Sequence, residues 1–202
     1  MSKINESLRR VYNYFNRKRL KNHEFSLIAS NCYGGVMLHD LGLPFNSPFI
    51  NLWVKPSDFL KFCEKMDYYL SLELSFTKIE GIGYPVGVLD DICLFFQHYS
   101  TEEQAELAWN NRKQRIIWDI LFVLFTDRDG CTYQELLQFD RLSIKNKAVL
   151  THIPYKEISS SHYIPGFENE SSVGHLNRFK KRFSYRKYYD SFDYVSWFNG
   201  KI

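Results

Sequence analysis

The residues best suited to chemistry sit in short polar strings that follow apolar runs. Ser30-Asn31-Cys32-Tyr33-Gly34-Gly35 follows the run 25–29, and a helical stretch over 36–41 comes next, stopped by Gly42 and Pro44. Strand, tight glycine turn and helix is the layout of a nucleophile elbow, although the GxSxG pattern is absent. A cysteine at a helix N-terminus is expected to have a lowered pKa, because unpaired N–H groups and the helix dipole favour the thiolate. Gly34 and Gly35 would let a ligand approach the backbone and would leave amides as oxyanion or phosphate donors. The structural alternative makes Cys32 a small packing residue and the glycines part of a turn.

Three other strings have the same character. His98 follows the run 92–97 and is the better candidate base for a thiol; a hydrogen-bonded structural histidine is the alternative. Asp127-Arg128-Asp129-Gly130 closes another run, where Asp127 or Asp129 could orient a histidine, hold a metal or contact sugar hydroxyls. Short acidic turns of this kind are also ordinary loop chemistry. His152, after 148–151, is a weaker candidate. His39 lies about two helical turns beyond Cys32, roughly 10 Å away, too far for a direct Cys–His bond but able to bind substrate. Asp40 beside it reads as a helix-end polar residue. Arg112 and Arg115, on a charged helix, could meet phosphates or form a solvated face.

These groups converge only if the elements before them are parallel strands. In open α/β sheets ligands bind outside the carboxyl ends of the strands. Runs 25–29, 49–54, 92–97, 117–125 and 148–151 read as strands, with 84–89 before a turn or bend at Asp90-Asp91. Helices are expected from Pro56, from Ser100 (capping-box spacing with Glu103) and over 132–142. The alternation predicts an α/β fold, a three-layer α/β/α domain with a mixed, largely parallel sheet, spanning 1–202 as a single domain. Residues 156–175 are polar and turn-rich, a surface loop or a lid. The aromatic tail, 185–198, is expected to pack as a final helix.

Residues 3–19 read as an amphipathic helix with Ile4, Leu8, Val11 and Phe15 on one face. It opens a basic segment: residues 1–22 hold seven Lys/Arg against Glu6. Residues 178–188 hold six Lys/Arg and no acid, so the remaining chain carries 13 bases and 22 acids. Such a helix can lie on an anionic membrane or dock its apolar stripe on its own domain. The basic ends suit a membrane surface, a nucleotide phosphate or a lipid-linked phosphate, or are solvated helix faces. The acidic body and modest net charge of +3 argue against nucleic acid. No apolar signal segment or membrane span is visible, and Cys32, Cys63, Cys93 and Cys131 show no CxxC or zinc spacing. A cytoplasmic protein with free thiols and no metal is expected, with a peripheral place at the inner membrane face as a further option.

Several longer strings carry a resemblance. These are Ser30-Asn31-Cys32-Tyr33-Gly34-Gly35, His39-Asp40-Leu41-Gly42-Leu43, the stretch from Phe45 to Trp53, Tyr84-Pro85-Val86-Gly87, the stretch from His98 through Trp109 to Ile116, and the ending from Phe192 to Phe198. Together they resemble a bacterial family of unknown function whose members are commonly labelled exopolysaccharide or capsule biosynthesis proteins. The resemblance implies a compact α/β/α domain and a role near surface glycans, and it supplies no catalytic residues. The Asn-Cys pair is also similar to the Gly-Asn-Cys start of a capsule-linked group thought to be coenzyme A-dependent acetyltransferases, with Ser30 in place of the glycine. Two readings follow. In the first, a glycan-modifying acyltransferase uses Cys32 as nucleophile, His98 as base and Asp127 as orienter. Asn31, Gly34, Gly35, His39 and Asp129 then hold substrate, and Arg112 and Arg115 sit near coenzyme A phosphates. In the second, a non-catalytic module binds a sugar or sugar nucleotide and contacts a membrane or a polysaccharide synthase.

Overall fold

The computed structural model describes residues 3–201; residues 1, 2 and 202 of the expected domain lie outside them. Two four-stranded sheets form the scaffold. The first is entirely parallel, in the order β1 (Ser26–Ala29), β6 (Leu121–Thr126), β7 (Asn146–Thr151), β8 (Ser161–Tyr163). The second is antiparallel, in the order β2 (Trp53–Val54), β5 (Ile92–Phe95), β4 (Val86–Leu89), β3 (Ser75–Thr77). The two meet where Val54 N–H donates to Ser30 O at 2.9 Å, just past the end of β1.

β1, β6 and β7 carry buried apolar residues on both faces, as a covered parallel sheet requires, while β8 is a short polar edge strand. Leu27, Ala29, Phe122, Leu124, Ala148 and Leu150 point into one core. That core is closed by α2 (Tyr33–Leu41) and the C-terminal α7 (Tyr194–Phe198). Ile28, Val123, Phe125 and Val149 point into the other, against α3 (Pro56–Glu64), α5 (Glu102–Lys113) and α6 (Tyr133–Arg141). The protein is thus an α/β domain with its parallel sheet between two apolar layers. The antiparallel sheet adds Leu89, Ile92 and Leu94 to the second layer, and Phe96 just beyond β5 joins them.

Several elements differ from the pattern-based expectation, each for a local reason. The apolar run 49–54 keeps only two strand residues, because Asn51 adopts φ 63° and breaks the extended chain. Asp90-Asp91 makes a two-residue hairpin turn between β4 and β5, with Asp90 at φ 53°. The α5 cap is Thr101 rather than Ser100, its hydroxyl accepting from Gln104 N–H at 3.3 Å. Part of the expected loop 156–175 is β8, the fourth parallel strand, and Ile164, Phe167 and Val173 beyond it are buried. The tail is not one helix. A hairpin bridged at Phe179 and Lys187 leads to a 3-10 turn over Tyr188–Ser191, and the Asp193 cap starts the short α7.

The first helix, α1 (Lys3–Arg19), docks in an unexpected orientation. Its buried positions are Asn5, Arg9, Asn13 and Asn16. Arg9 donates to Asp40 at 2.6 Å, to Asp190 at 2.5 Å and to the Tyr189 hydroxyl at 2.6 Å. Asp40, read from sequence as a helix-end polar residue, is one anchor of this buried hub. No described helix is long and apolar enough to cross a membrane.

Candidate functional site

Parallel β1 and β6 end side by side, and that register brings their polar strings together. Ser30 N–H extends the ladder by donating to Leu124 O at 3.1 Å. The Asn31 amide then clamps the two strand ends: its Nδ2 donates to Thr126 Oγ1 at 2.8 Å, and its Oδ1 accepts from Tyr33 N–H at 3.3 Å. Cys32 follows as the N-cap of α2, half-buried, in helical backbone geometry. Gly34 is required for packing, since a Cβ there would lie 2.6 Å from the Ala29 Cβ. Gly35 has space, its nearest neighbour being Ile50 at 3.7 Å. The first-turn amides of Gly34 and Gly35 lack intrahelical acceptors by their position. Gly42 ends α2 at φ 69°, where a side chain would be strained.

Cys32 stands between two clefts. The larger, of about 720 Å³, runs between α1 and α2 and also takes in Gly35, His39, Phe45, Asn51, His98 and Lys187. His98 leaves the antiparallel sheet, not the parallel one, yet it reaches the same cleft as Cys32. Among the described residues the two make no hydrogen bond to each other, and His98 is exposed. The wall from α1 supplies Glu6, Arg10, Asn13 and Arg17. Arg10 and Lys187 have no ion-pair partner among the described residues, and Arg17 spends Nε on the Asp40 carbonyl at 3.0 Å. Asn13 Oδ1 is buried and has no hydrogen-bond partner among the described residues. Arg10, Arg17 and Lys187 set the cleft to attract anions.

The smaller cleft, of about 220 Å³, adjoins Cys32 on its other side. It is lined by Asn31, Trp53, Gln97, Arg128, Asp129 and His175 as well as Cys32 and Tyr33. Trp53 is held flat by stacking on Phe95, with ring centroids 4.0 Å apart, and by its Nε1–H to the Tyr84 hydroxyl at 3.3 Å. Arg128 donates to the Tyr33 hydroxyl at 2.5 Å and to Gly174 O at 2.7 Å. Those bonds fasten the 173–176 segment over the strand ends, so the expected lid is tied down here. A flat aromatic face beside amide, carboxylate and guanidinium groups suits a sugar ring and its hydroxyls.

Burial pushes the Cys32 thiol above its ordinary value; its backbone hydrogen bond and Arg128 pull it back in part. The lowering expected from the helix N-terminus is outweighed by desolvation. Burial likewise raises Tyr33, against the opposing pull of Arg128.

A model of a domain of unknown function, DUF1919, matches residues 3–199, nearly the whole chain. The chain belongs to the DUF1919 family. It is also 43% identical over 198 residues to a Haemophilus influenzae protein described as an uncharacterized protein, covering 98% of this chain and 95% of that one.

The DUF1919 chain places the other sequence candidates differently. Asp127 does not reach His98. Its Oδ2 accepts from His152 N–H at 2.7 Å and faces His152 Nδ1 at 2.5 Å, while its Oδ1 accepts from Val173 N–H at 2.8 Å. Asp127 therefore orients His152 and anchors the 173 segment, and His152 lines neither cleft. The Asp127–Asp129 spacing does not form a shared metal site, since Asp127 is buried and fully engaged while Asp129, at φ 61°, is exposed in the smaller cleft. No group of three or more His, Cys, Asp or Glu that could hold a metal occurs among the described residues. Arg112 bonds the Tyr99 hydroxyl and lies over Phe45, behind the cleft wall. Arg115 is exposed beyond α5, away from both clefts. His39 lines the larger cleft with an exposed ring.

Sequence reasoning missed Trp53, Arg128 and His175 as site residues. Arg128 was legible as the middle of a polar string at a strand end. Trp53 was hidden inside an apolar run, and His175 reaches the site only through the path of the chain after β8.

Proposed function

We propose that this protein acts in surface-polysaccharide biosynthesis and binds a phosphorylated sugar precursor across the two clefts, with the sugar on Trp53 and the phosphate toward Arg10, Arg17 and Lys187. The observation that carries the reading is the pairing of a small aromatic-faced cleft with a larger basic one, joined at Cys32. The resemblance of the motif strings to proteins labelled exopolysaccharide or capsule biosynthesis supports the glycan context. The activity we assign is a glycan-modifying transfer, with Cys32 and His98 as the acting pair in the larger cleft. We place the protein in the cytoplasm, peripheral to the inner face of the membrane.

A second reading, a non-catalytic sugar- or nucleotide-binding module, is favoured by two observations. Burial raises the Cys32 thiol, and among the described residues no carboxylate bonds His98, Asp127 serving His152 instead. One experiment separates the readings. Nucleoside-diphosphate sugars are titrated calorimetrically into wild type, Lys187→Ala and Cys32→Ala, and acyl transfer to the bound sugar is then assayed by mass spectrometry. Binding that weakens in Lys187→Ala supports the shared premise. Transfer lost in Cys32→Ala with binding intact supports the enzyme; binding without transfer in wild type supports the module. If no sugar phosphate binds, the cleft assignment fails.

A further inference from the structure

The amphipathic pattern of α1 is turned inside out. Its inward face is polar, with Asn5, Arg9, Asn13 and Asn16 buried. Its apolar stripe faces solvent: Leu8 is 41% exposed, Val11 54% and Phe15 59%, with Ile4 and Tyr14 also exposed. A half-turn rotation would bury the stripe. The ion pairs from Arg9 to Asp40 and Asp190 prevent that rotation, so the outward stripe is built into the docking. Contiguous exposed apolar surface of this kind marks an interaction site in soluble proteins.

A second element extends the same surface. The hairpin bridged at Phe179 and Lys187 abuts α1, where Tyr185 packs on Tyr12 with ring centroids 5.1 Å apart and Arg9 donates to Tyr185 O at 3.1 Å. Its tip presents Phe183, 63% exposed, and Tyr185, 44% exposed. The two basic segments of the sequence thus flank one apolar surface. Lys18, Lys181 and Arg182 are exposed there and make no ion pair among the described residues.

We propose that the outward face of α1 and the tip of the 178–188 hairpin dock this protein on an anionic lipid bilayer, with aliphatic and aromatic side chains inserted and the basic flanks on the headgroups. The charge decides for a bilayer over a second copy. Pairing two such faces would bring like charges together, whereas an anionic surface neutralises them. Aromatic and aliphatic residues on one helical face with basic flanks have the chemistry of an interfacial helix. Glu6, Arg10, Asn13 and Arg17, which wall the larger cleft, lie on the other side of the same helix, so docking leaves that cleft open to a phosphorylated precursor. The docking rests on α1 and the hairpin, and it deepens the peripheral placement above.

The test is flotation with vesicles of neutral phosphatidylcholine and with vesicles containing about one third phosphatidylglycerol. Wild type should float with the anionic vesicles only, less so at high salt. Leu8→Glu/Phe15→Glu, at exposed positions outside both clefts, should lose binding on the order of tenfold while keeping its thermal midpoint and its calorimetric sugar-phosphate affinity. Wild type failing to float, or the double variant floating equally, overturns the proposal. So does a concentration-dependent dimer that the double variant dissolves without any lipid binding. A normal sugar-phosphate titration alongside either negative result leaves the cleft reading standing, and flotation without sugar-phosphate binding does the reverse.

Discussion

A thiol at the first turn of a helix feels two opposed influences. The amides and dipole favour the thiolate, while loss of water disfavours it. At Cys32 the second wins, and the Arg128 guanidinium recovers part of the difference. The sequence showed the helix start but not the walls around it, since Trp53, Arg128, Asp129 and His175, which line the adjoining cleft with Cys32, are remote along the chain. Alkylation of Cys32 against pH, with Cys63, Cys93 and Cys131 replaced by Ser, should therefore give a midpoint above the ordinary value of 9.0. Arg128→Met should push that midpoint higher still and slow alkylation at about pH 8 several-fold, in proportion to the thiolate fraction. A midpoint below 9.0, or no response to Arg128→Met, would restore the activated-thiolate picture drawn from helix position alone.

Among the elements, α1 shows most clearly what periodicity conveys and what it leaves out. The spacing of Ile4, Leu8, Val11 and Phe15 correctly indicated a helix, and the structure confirms Lys3–Arg19. It could not indicate which face turns inward, because that is decided by Asp40 and Asp190, far away in sequence. Burial alone would raise Asp40, yet the Tyr189 hydroxyl and Arg9 outweigh it and hold the carboxyl below its usual range. Asp190, sharing the same guanidinium, is instead pushed up by burial. Removing the cation would leave two buried carboxylates facing each other. Arg9→Met should therefore cost about 3–5 kcal/mol in urea unfolding and free α1 for early proteolysis. A loss below about 1 kcal/mol would mean that α1 is held by other contacts, and the outward stripe would lose its structural cause.

At the scale of the whole molecule, the alternation of strands and helices made the α/β class legible, and the polar strings at the ends of β1 and β6 did meet. The division into a parallel and an antiparallel sheet was not legible, because local pattern does not distinguish a buried strand's partner or direction. Nor was β8, whose short polar sequence joins the sheet through long-range pairing. That last strand offers a test of how the sheet edge is secured. Burial would raise Asp140, but hydrogen bonds from Ser160 and Ser159 outweigh it and lower its pKa. Those bonds tie the end of α6 to the turn that launches β8: Ser160 N–H at 2.8 Å and Ser159 Oγ at 2.9 Å, both to Oδ1. A carboxyl lowered on folding contributes stability above its ordinary value of 3.8, and that contribution is lost as pH falls through the folded value. Asp193, held low by Ser196 and Arg19 against the effect of burial, and Asp40 act in the same direction, while the raised Asp190 opposes them. Burial also lowers the His162 imidazole, so urea midpoints should decline modestly as pH falls below about 6.5 and fall more steeply below about pH 4. Asp140→Asn should lower neutral stability by about 1–2 kcal/mol and make the acid fall shallower, because one proton-linked contribution is gone. If the variant and wild type lose stability in parallel down to about pH 3, the α6–β8 tether does not depend on the Asp140 charge.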